Sequence, residues 1–191
     1  MKKFWIIGTV MLVINAHAQQ VPNFNLTNVV TGKTVSLETF PSCSGVVIMF
    51  TSNACPFDEY YRERIDQLAK DFQDKVPVLL VNSYTEPNES EESMLRKAQQ
   101  AGISVPYLSD KNQVLMQSLG ATKSPSVFLL KNSGGKFQVV YRGAIDDNAQ
   151  VEADVRHSYL RDAIDIMLTN QKIETPEVRP VGCNIRRKQG N

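Results

Sequence analysis

The stretch from Gly45 to Tyr61 constrains this chain more than any other, because the apolar run Gly45-Val-Val-Ile-Met-Phe50 passes through a short polar turn into Cys55-Pro56 and an amphipathic pattern. An unbroken apolar run of this length suits a strand buried on both faces. Pro56 suits the first helical position, where an N–H would have no intrahelical partner, and Phe57, Tyr61, Ile65, Leu68 and Phe72 then share one helical face. The segment therefore reads as strand, turn and helix with a cysteine at the helix start. A cysteine so placed faces unpaired backbone N–H groups and the positive end of the helix, which favour the nucleophilic thiolate. The alternative is an inert, buried cysteine.

Around this unit the chain alternates strand and helix signals. Phe24–Leu26 and Thr34–Leu37 flank the turn Thr31-Gly32-Lys33 and read as an N-terminal hairpin. Val46–Thr51 and Pro77–Asn82 read as buried strands, Pro106–Leu108 as a short extended piece, and Ser126–Leu130 as a strand leading through Asn132-Ser-Gly-Gly135 into a second hairpin arm, Phe137–Arg142. Helices are expected over 56–72, 90–100 (ended by Gly102), 112–119 (followed by Gly120) and 152–168. Thr175–Asn191 carries two prolines and a basic end and is expected to be an irregular tail. The order implies an α/β fold with a mixed central sheet flanked by helices.

Lys2-Lys3, the apolar-biased run Phe4–Ile14 and Ala16-His17-Ala18 match the three regions of a secretory signal, so residues 1–18 are expected to be removed and the mature chain to begin at Gln19. The run is shorter than the roughly twenty residues that span a bilayer. A secreted or periplasmic protein, without membrane attachment after cleavage, follows as an expectation. The 21 basic residues fall to 19 when Lys2 and Lys3 leave, against 20 acidic ones, a balance that gives no reason to expect nucleic acid. The mature chain keeps a single histidine, His157, in a polar stretch, which argues against histidine-assisted catalysis. Three widely spaced cysteines fit no metal-ligand spacing, and no cofactor or metal is implied. Residues 19–170 then form one domain, with 171–191 as a tail carrying Cys183.

Several pieces together resemble the thioredoxin-fold redoxins, and among them the peroxiredoxin-like proteins related to alkyl hydroperoxide reductase and thiol-specific antioxidant. They are Phe50-Thr-Ser-Asn-Ala-Cys-Pro-Phe57, Val81-Asn-Ser83, Pro106-Tyr-Leu-Ser-Asp110, Ser124-Pro125, Tyr141-Arg-Gly-Ala-Ile-Asp-Asp147 and Gly182-Cys-Asn-Ile185. The resemblance implies a thioredoxin-like fold, a reactive thiol at Cys55, and a cis proline at Pro125 whose loop, with Ser124, lines the substrate groove. Ser52 stands where peroxiredoxins carry a threonine that places peroxide, so it is expected to position substrate or the Cys55 thiolate. The chain also departs from its relatives. Asp58 replaces the second cysteine of Cys-x-x-Cys, Ile48 stands where peroxiredoxins carry a proline, and Phe57 replaces a tyrosine of the nearest subgroup.

Cys43 and Cys55 lie at opposite ends of a predicted strand, beyond the reach of one disulfide, whereas the tail is long enough to bring Cys183 to either. The resemblance at Gly182-Cys-Asn-Ile185 favours Cys55–Cys183, with Cys183 resolving the product formed at Cys55. A structural Cys43–Cys183 staple remains open. The expected function is a thiol-dependent oxidoreductase in which Cys55 attacks a peroxide or a protein or small-molecule disulfide, with an external thiol as electron donor. Alternatives are a protein disulfide reductase lacking Cys-x-x-Cys, and a redox-silent peptide-binding module stapled by Cys43–Cys183. Arg142, Asp146 and Asp147 fall near a strand end and suit salt bridges or turns better than catalysis.

Overall fold

The computed structural model describes residues 19–188; the predicted signal segment lies outside the described residues. The described residues build an eight-stranded mixed sheet, and the fold is thioredoxin-like. The strands of the main sheet are β1 (Leu26–Asn28), β2 (Thr34–Val35), β3 (Gly45–Phe50), β4 (Val78–Asn82), β5 (Tyr107–Ser109), β7 (Ser126–Ser133), β8 (Lys136–Gly143) and β9 (Glu177–Val178). Their order is β2-β1-β5-β4-β3-β7-β8-β9, and β6 (Lys123–Ser124) pairs separately with β10 (Cys183–Asn184). β3, β4 and β5 run parallel, β7 lies antiparallel to β3 with Phe50 opposite Ser126, and β8 turns back along β7. The helices are α1 (Pro56–Phe72), α2 (Glu91–Ala101), α3 (Val114–Leu119) and α4 (Tyr159–Leu168).

The pleat of β3 divides the core, since neighbouring residues of a strand point to opposite faces. Val47 and Met49 pack with Tyr61 and Ile65 of α1, Met94 of α2 and Ile164 of α4. Val46, Ile48 and Phe50 pack on the other face with Leu115, Met116 and Leu119 of α3, and with Phe24 and Phe137. Every residue of β3 is buried, which is why its sequence is a continuous apolar run. Burying each such side chain contributes about 1.5–3 kcal/mol, so β3 and α1 are held firmly where they meet at Cys55.

The hairpin forms two residues later than expected on its first arm, because Phe24 enters the core and Leu26 pairs with Val35. β5 is displaced by one residue, and α3 starts at Val114 because Gln113 adopts a left-handed backbone, φ 58°. The last helix is shorter than the predicted 152–168. Glu152–Asp154 forms a single 3-10 turn, and α4 begins at Tyr159. Asp147 explains the difference, since its carboxylate accepts the Arg156 and His157 N–H groups and folds the polar segment into a loop. The tail is also more ordered than expected. β9 pairs with β8, where Gly143 (φ +126°) leaves room for the Val178 carbonyl, and β10 pairs with β6.

α1 is tied to the segment after β8 by a buried ionic cluster. Arg64 pairs with Asp146 at 2.5 Å and donates to the Asn148 and Ala149 carbonyls, while Tyr61 donates to the second oxygen of Asp146 at 2.9 Å. Replacing one partner of a buried pair leaves the other charge uncompensated, at a cost of roughly 3–5 kcal/mol. Arg64→Met should therefore lower the free energy of unfolding measured in urea by an amount in that range. A loss below about 1 kcal/mol would show that the cluster is solvated like a surface pair.

Candidate active site

β3 ends at Phe50 and a turn carries the chain to Cys55, which caps the start of α1 with extended backbone (φ −79°, ψ 121°) ahead of Pro56. The cysteine is buried, 5% exposed. Ser52 organises the turn, its Oγ accepting the Ala54 and Cys55 N–H groups at 3.1 Å each while its hydroxyl proton goes to Glu89 Oε1 at 2.6 Å. Glu89 sits on a 3-10 turn, Pro87–Glu89, and is 2% exposed. It also accepts the Asn53 N–H at 2.9 Å, the Ala54 N–H at 3.2 Å and the Asn82 amide at 2.7 Å. Ser52 and Glu89 thus engage the N–H groups of Asn53, Ala54 and Cys55, in the turn just before α1. Ser52 shapes the backbone on which Cys55 rides, and its proton is directed away from the sulfur.

Cys183 completes the site. β10 lies antiparallel to β6 with Cys183 opposite Ser124, and a disulfide joins Cys183 to Cys55 across 128 residues of sequence with a Cα separation of 6.0 Å. The Ser124–Pro125 peptide is cis, and the Ser124 carbonyl oxygen lies 3.5 Å from Cys55 Sγ. Gly182 makes the close approach of the tail feasible, since a Cβ there would collide with the Ser124 carbonyl and touch Pro125. Cys43 is free at the far end of β3, next to Asn132, and burial raises its thiol pKa. The Cys43–Cys183 staple is thereby overturned.

The tail is anchored on both sides of the disulfide. Ile185 is buried in the core and donates its N–H to the Thr122 carbonyl at 2.9 Å. Beyond it, the fully buried Gln113 donates to the Arg186 carbonyl at 2.7 Å and accepts the Lys188 N–H at 2.7 Å. Before it, Lys123 donates to the Gly182 carbonyl at 3.2 Å.

Asp58 lines the site, and Lys111 is linked to it through Asn82 and Glu89. Asp58, in the first turn of α1, accepts from the Ser124 hydroxyl at Oδ2 (3.0 Å), while its other oxygen has no partner; with Cys55 the residue lines a cavity of about 50 Å³. Burial pushes its carboxyl up to about 7, against the pull of the neighbouring hydroxyls. Lys111 donates to Asn82 Oδ1 and the Tyr84 carbonyl, and burial lowers its ammonium to about 8 against the opposing pull of Glu89. On the outer side both cysteines open on a cavity of about 200 Å³, bordered by Ser52, Ala54, Tyr84, Glu86 and Glu89. Arg142 instead pairs with Glu177, Asp146 with Arg64, and Asp147 holds its loop; His157 is exposed and stacked on Tyr159. Glu89 is the buried residue beside Cys55 that sequence reasoning misses, because nothing in the polar run Glu86–Glu92 sets it apart from its acidic neighbours.

Residues 17–146 match the AhpC/TSA family. The chain belongs to that family. No curated protein matches it. Two solved structures resemble it over nearly their whole length. One, an uncharacterized conserved protein from Geobacillus kaustophilus, is 29% identical with a TM-score of 0.81, over 91% of this chain and 93% of that one. The other, a hypothetical protein from Sinorhizobium meliloti 1021, is 28% identical with a TM-score of 0.81, over 96% and 98%. A putative thiol:disulfide interchange protein from Chlorobium tepidum shares the fold, with 17% identity and a TM-score of 0.63 over 79% and 96%. This AhpC/TSA member is thus a redoxin-type thiol oxidoreductase in fold and family.

The Asp58 carboxyl carries a pH signature with a definite sign. Its pKa is raised in the folded protein, so its contribution to stability is fully present below about pH 4 and is lost as pH rises through about 7, when the folded carboxyl must ionise. Stability of the oxidised protein, measured by urea unfolding, should therefore decline over this window relative to Asp58→Asn. Identical pH dependence in the two proteins would mean that Asp58 ionises as freely when folded as when unfolded.

Proposed function

We propose that this protein is a thiol–disulfide oxidoreductase whose working couple is Cys55 and Cys183, exported by its predicted signal and acting outside the cytoplasm. Cys55 is the attacking sulfur. With a disulfide, its thiolate displaces one substrate thiolate and forms a mixed disulfide; the Cys183 thiolate then attacks Cys55 Sγ, releases the second substrate thiolate and closes the intramolecular bond. With a peroxide the first product is a sulfenic acid, and Cys183 displaces water from it. An external thiol restores the dithiol.

The observation that carries this reading is the Cys55–Cys183 bond, formed by a tail that the domain holds by other means as well. Because β10 pairing, Ile185 and Gln113 dock the tail independently of the bond, Cys183 waits beside Cys55 in the reduced state and closure needs no large rearrangement. That preorganisation lets a distant cysteine do what the second cysteine of Cys-x-x-Cys does where Asp58 stands. Disulfide exchange is the favoured chemistry. A polypeptide substrate must displace β10 from β6, whereas a small thiol or disulfide reaches both sulfurs through the outer opening.

Titration against a thiol redox buffer, followed by alkylation and peptide mass, should show Cys55 and Cys183 reacting together as one two-electron couple while Cys43 behaves independently. Cys183→Ser should trap the substrate thiol on Cys55. Gln113→Ala, which removes two tail hydrogen bonds worth about 1 kcal/mol each, should slow closure by about thirtyfold. A Cys55–Cys183 bond that resists every thiol in the folded protein would make it structural and end this reading.

A further inference from the structure

The carbonyl of Cys183 is held at the end of a chain of exchangeable protons that begins at Asp58. Ser124 Oγ lies 3.0 Å from Asp58 Oδ2 and 2.8 Å from Tyr84 Oη, and Tyr84 Oη lies 3.2 Å from the Cys183 carbonyl oxygen. Ser124, Tyr84 and Asp58 are all buried. Each hydroxyl carries one proton and the carbonyl carries none, so three contacts require three protons and the third must come from Asp58. With Asp58 protonated, the carboxyl donates to Ser124, Ser124 donates to Tyr84, and Tyr84 donates to Cys183. With Asp58 ionised, Ser124 turns to the carboxylate, Tyr84 turns to Ser124, and the Cys183 carbonyl loses its donor.

We propose that Asp58 is a positioning residue for Cys183, its protonation fixing the direction of the Asp58–Ser124–Tyr84 chain and so the hold of the domain on the β10 strand. Asp58 lines a cavity together with the partly buried Arg62 and Lys97, which gives the released proton a way to water. The charged groups facing Asp58 are Glu89 from the 3-10 turn, Glu59, Arg62 and Asp66 from α1 itself, and Lys97 from α2; Tyr84 and Tyr107 approach from the strand ends. Burial places the ionisation near neutral pH. The role deepens the proposed Cys55–Cys183 couple and rests on that reading, because the carbonyl being held belongs to its second cysteine. The geometry it describes is nevertheless measurable without any thiol or substrate.

The test is amide hydrogen exchange of Cys183–Ile185 in the oxidised protein at pH 6 and pH 8, each referred to the intrinsic rate at that pH. Loss of one net hydrogen bond should reduce protection about fivefold between the two. Asp58→Asn, whose amide donates to Ser124 as the protonated acid does, should keep high protection at both pH values. Tyr84→Phe, which has no proton to give, should show low protection at both. Absence of a step in the unmodified protein, or an undiminished step in Tyr84→Phe, overturns the proposal even if Asp58→Asn does not fold, and a step persisting in a folded Asp58→Asn overturns it as well. Failure of the disulfide to react with thiols would instead overturn the couple and leave this measurement intact.

Discussion

The site depends on one residue, Ser124, whose backbone and side chain make four different contacts. Its backbone pairs with Cys183, its carbonyl oxygen touches Cys55 Sγ, and its hydroxyl stands between Asp58 and Tyr84. The residue is fully buried, so none of these polar groups has water as a substitute. Pro125 follows it, and a residue without an N–H ends β6 before β7 begins, leaving β6 as a short edge free to take a partner strand. The partner is the chain's own tail.

Electrostatics around Cys55 pull in two directions. The start of α1 favours negative charge by about 0.3–1 kcal/mol, the ordinary size of a helix-end effect. Against it stand two buried carboxyls, Glu89 and Asp58. Glu89 tolerates burial because four donors, from Ser52, Asn53, Ala54 and Asn82, converge on it. Asp58 keeps one oxygen unpartnered, so burial outweighs the pull of Thr51, Ser124 and Ser52 and pushes its carboxyl up to about 7. The turn is therefore tuned by how many donors each acid finds, not by the helix end alone.

Much of this was legible in the sequence wherever burial dictates pattern. β3, α1, β4 and α2 follow from apolar runs, an amphipathic face and a glycine stop, and the Cys55-Pro56 junction follows from proline's preference for a first helical turn. What was not legible rests on single polar contacts between distant segments. Asp147 capturing the N–H groups of Arg156 and His157 shortens α4, and Gln113 in a left-handed conformation shortens α3 to clamp a tail some seventy residues away, neither of which leaves a periodic trace. Glu89 belongs to the same class. The Cys55–Cys183 pairing was indicated by resemblance, since the tail was long enough to reach either end of β3, and the anchors that choose between them are Ile185 and Gln113.

Those anchors also determine what the disulfide means energetically. Closing a loop of 128 residues in an unfolded chain costs about 4–5 kcal/mol of chain entropy, and by linkage whatever the bond adds to the fold, the fold adds to the bond. In a protein whose tail came free on reduction, ordering the tail would have to be repeated at every closure. Here Ile185 and the Gln113 clamp hold the tail through contacts that do not involve sulfur, so folding meets the entropy once and the redox step inherits a nearly intramolecular geometry. A cysteine far away in sequence can then serve as a close neighbour in chemistry, provided that the anchors beside it are stronger than the thermal motion that would carry it off.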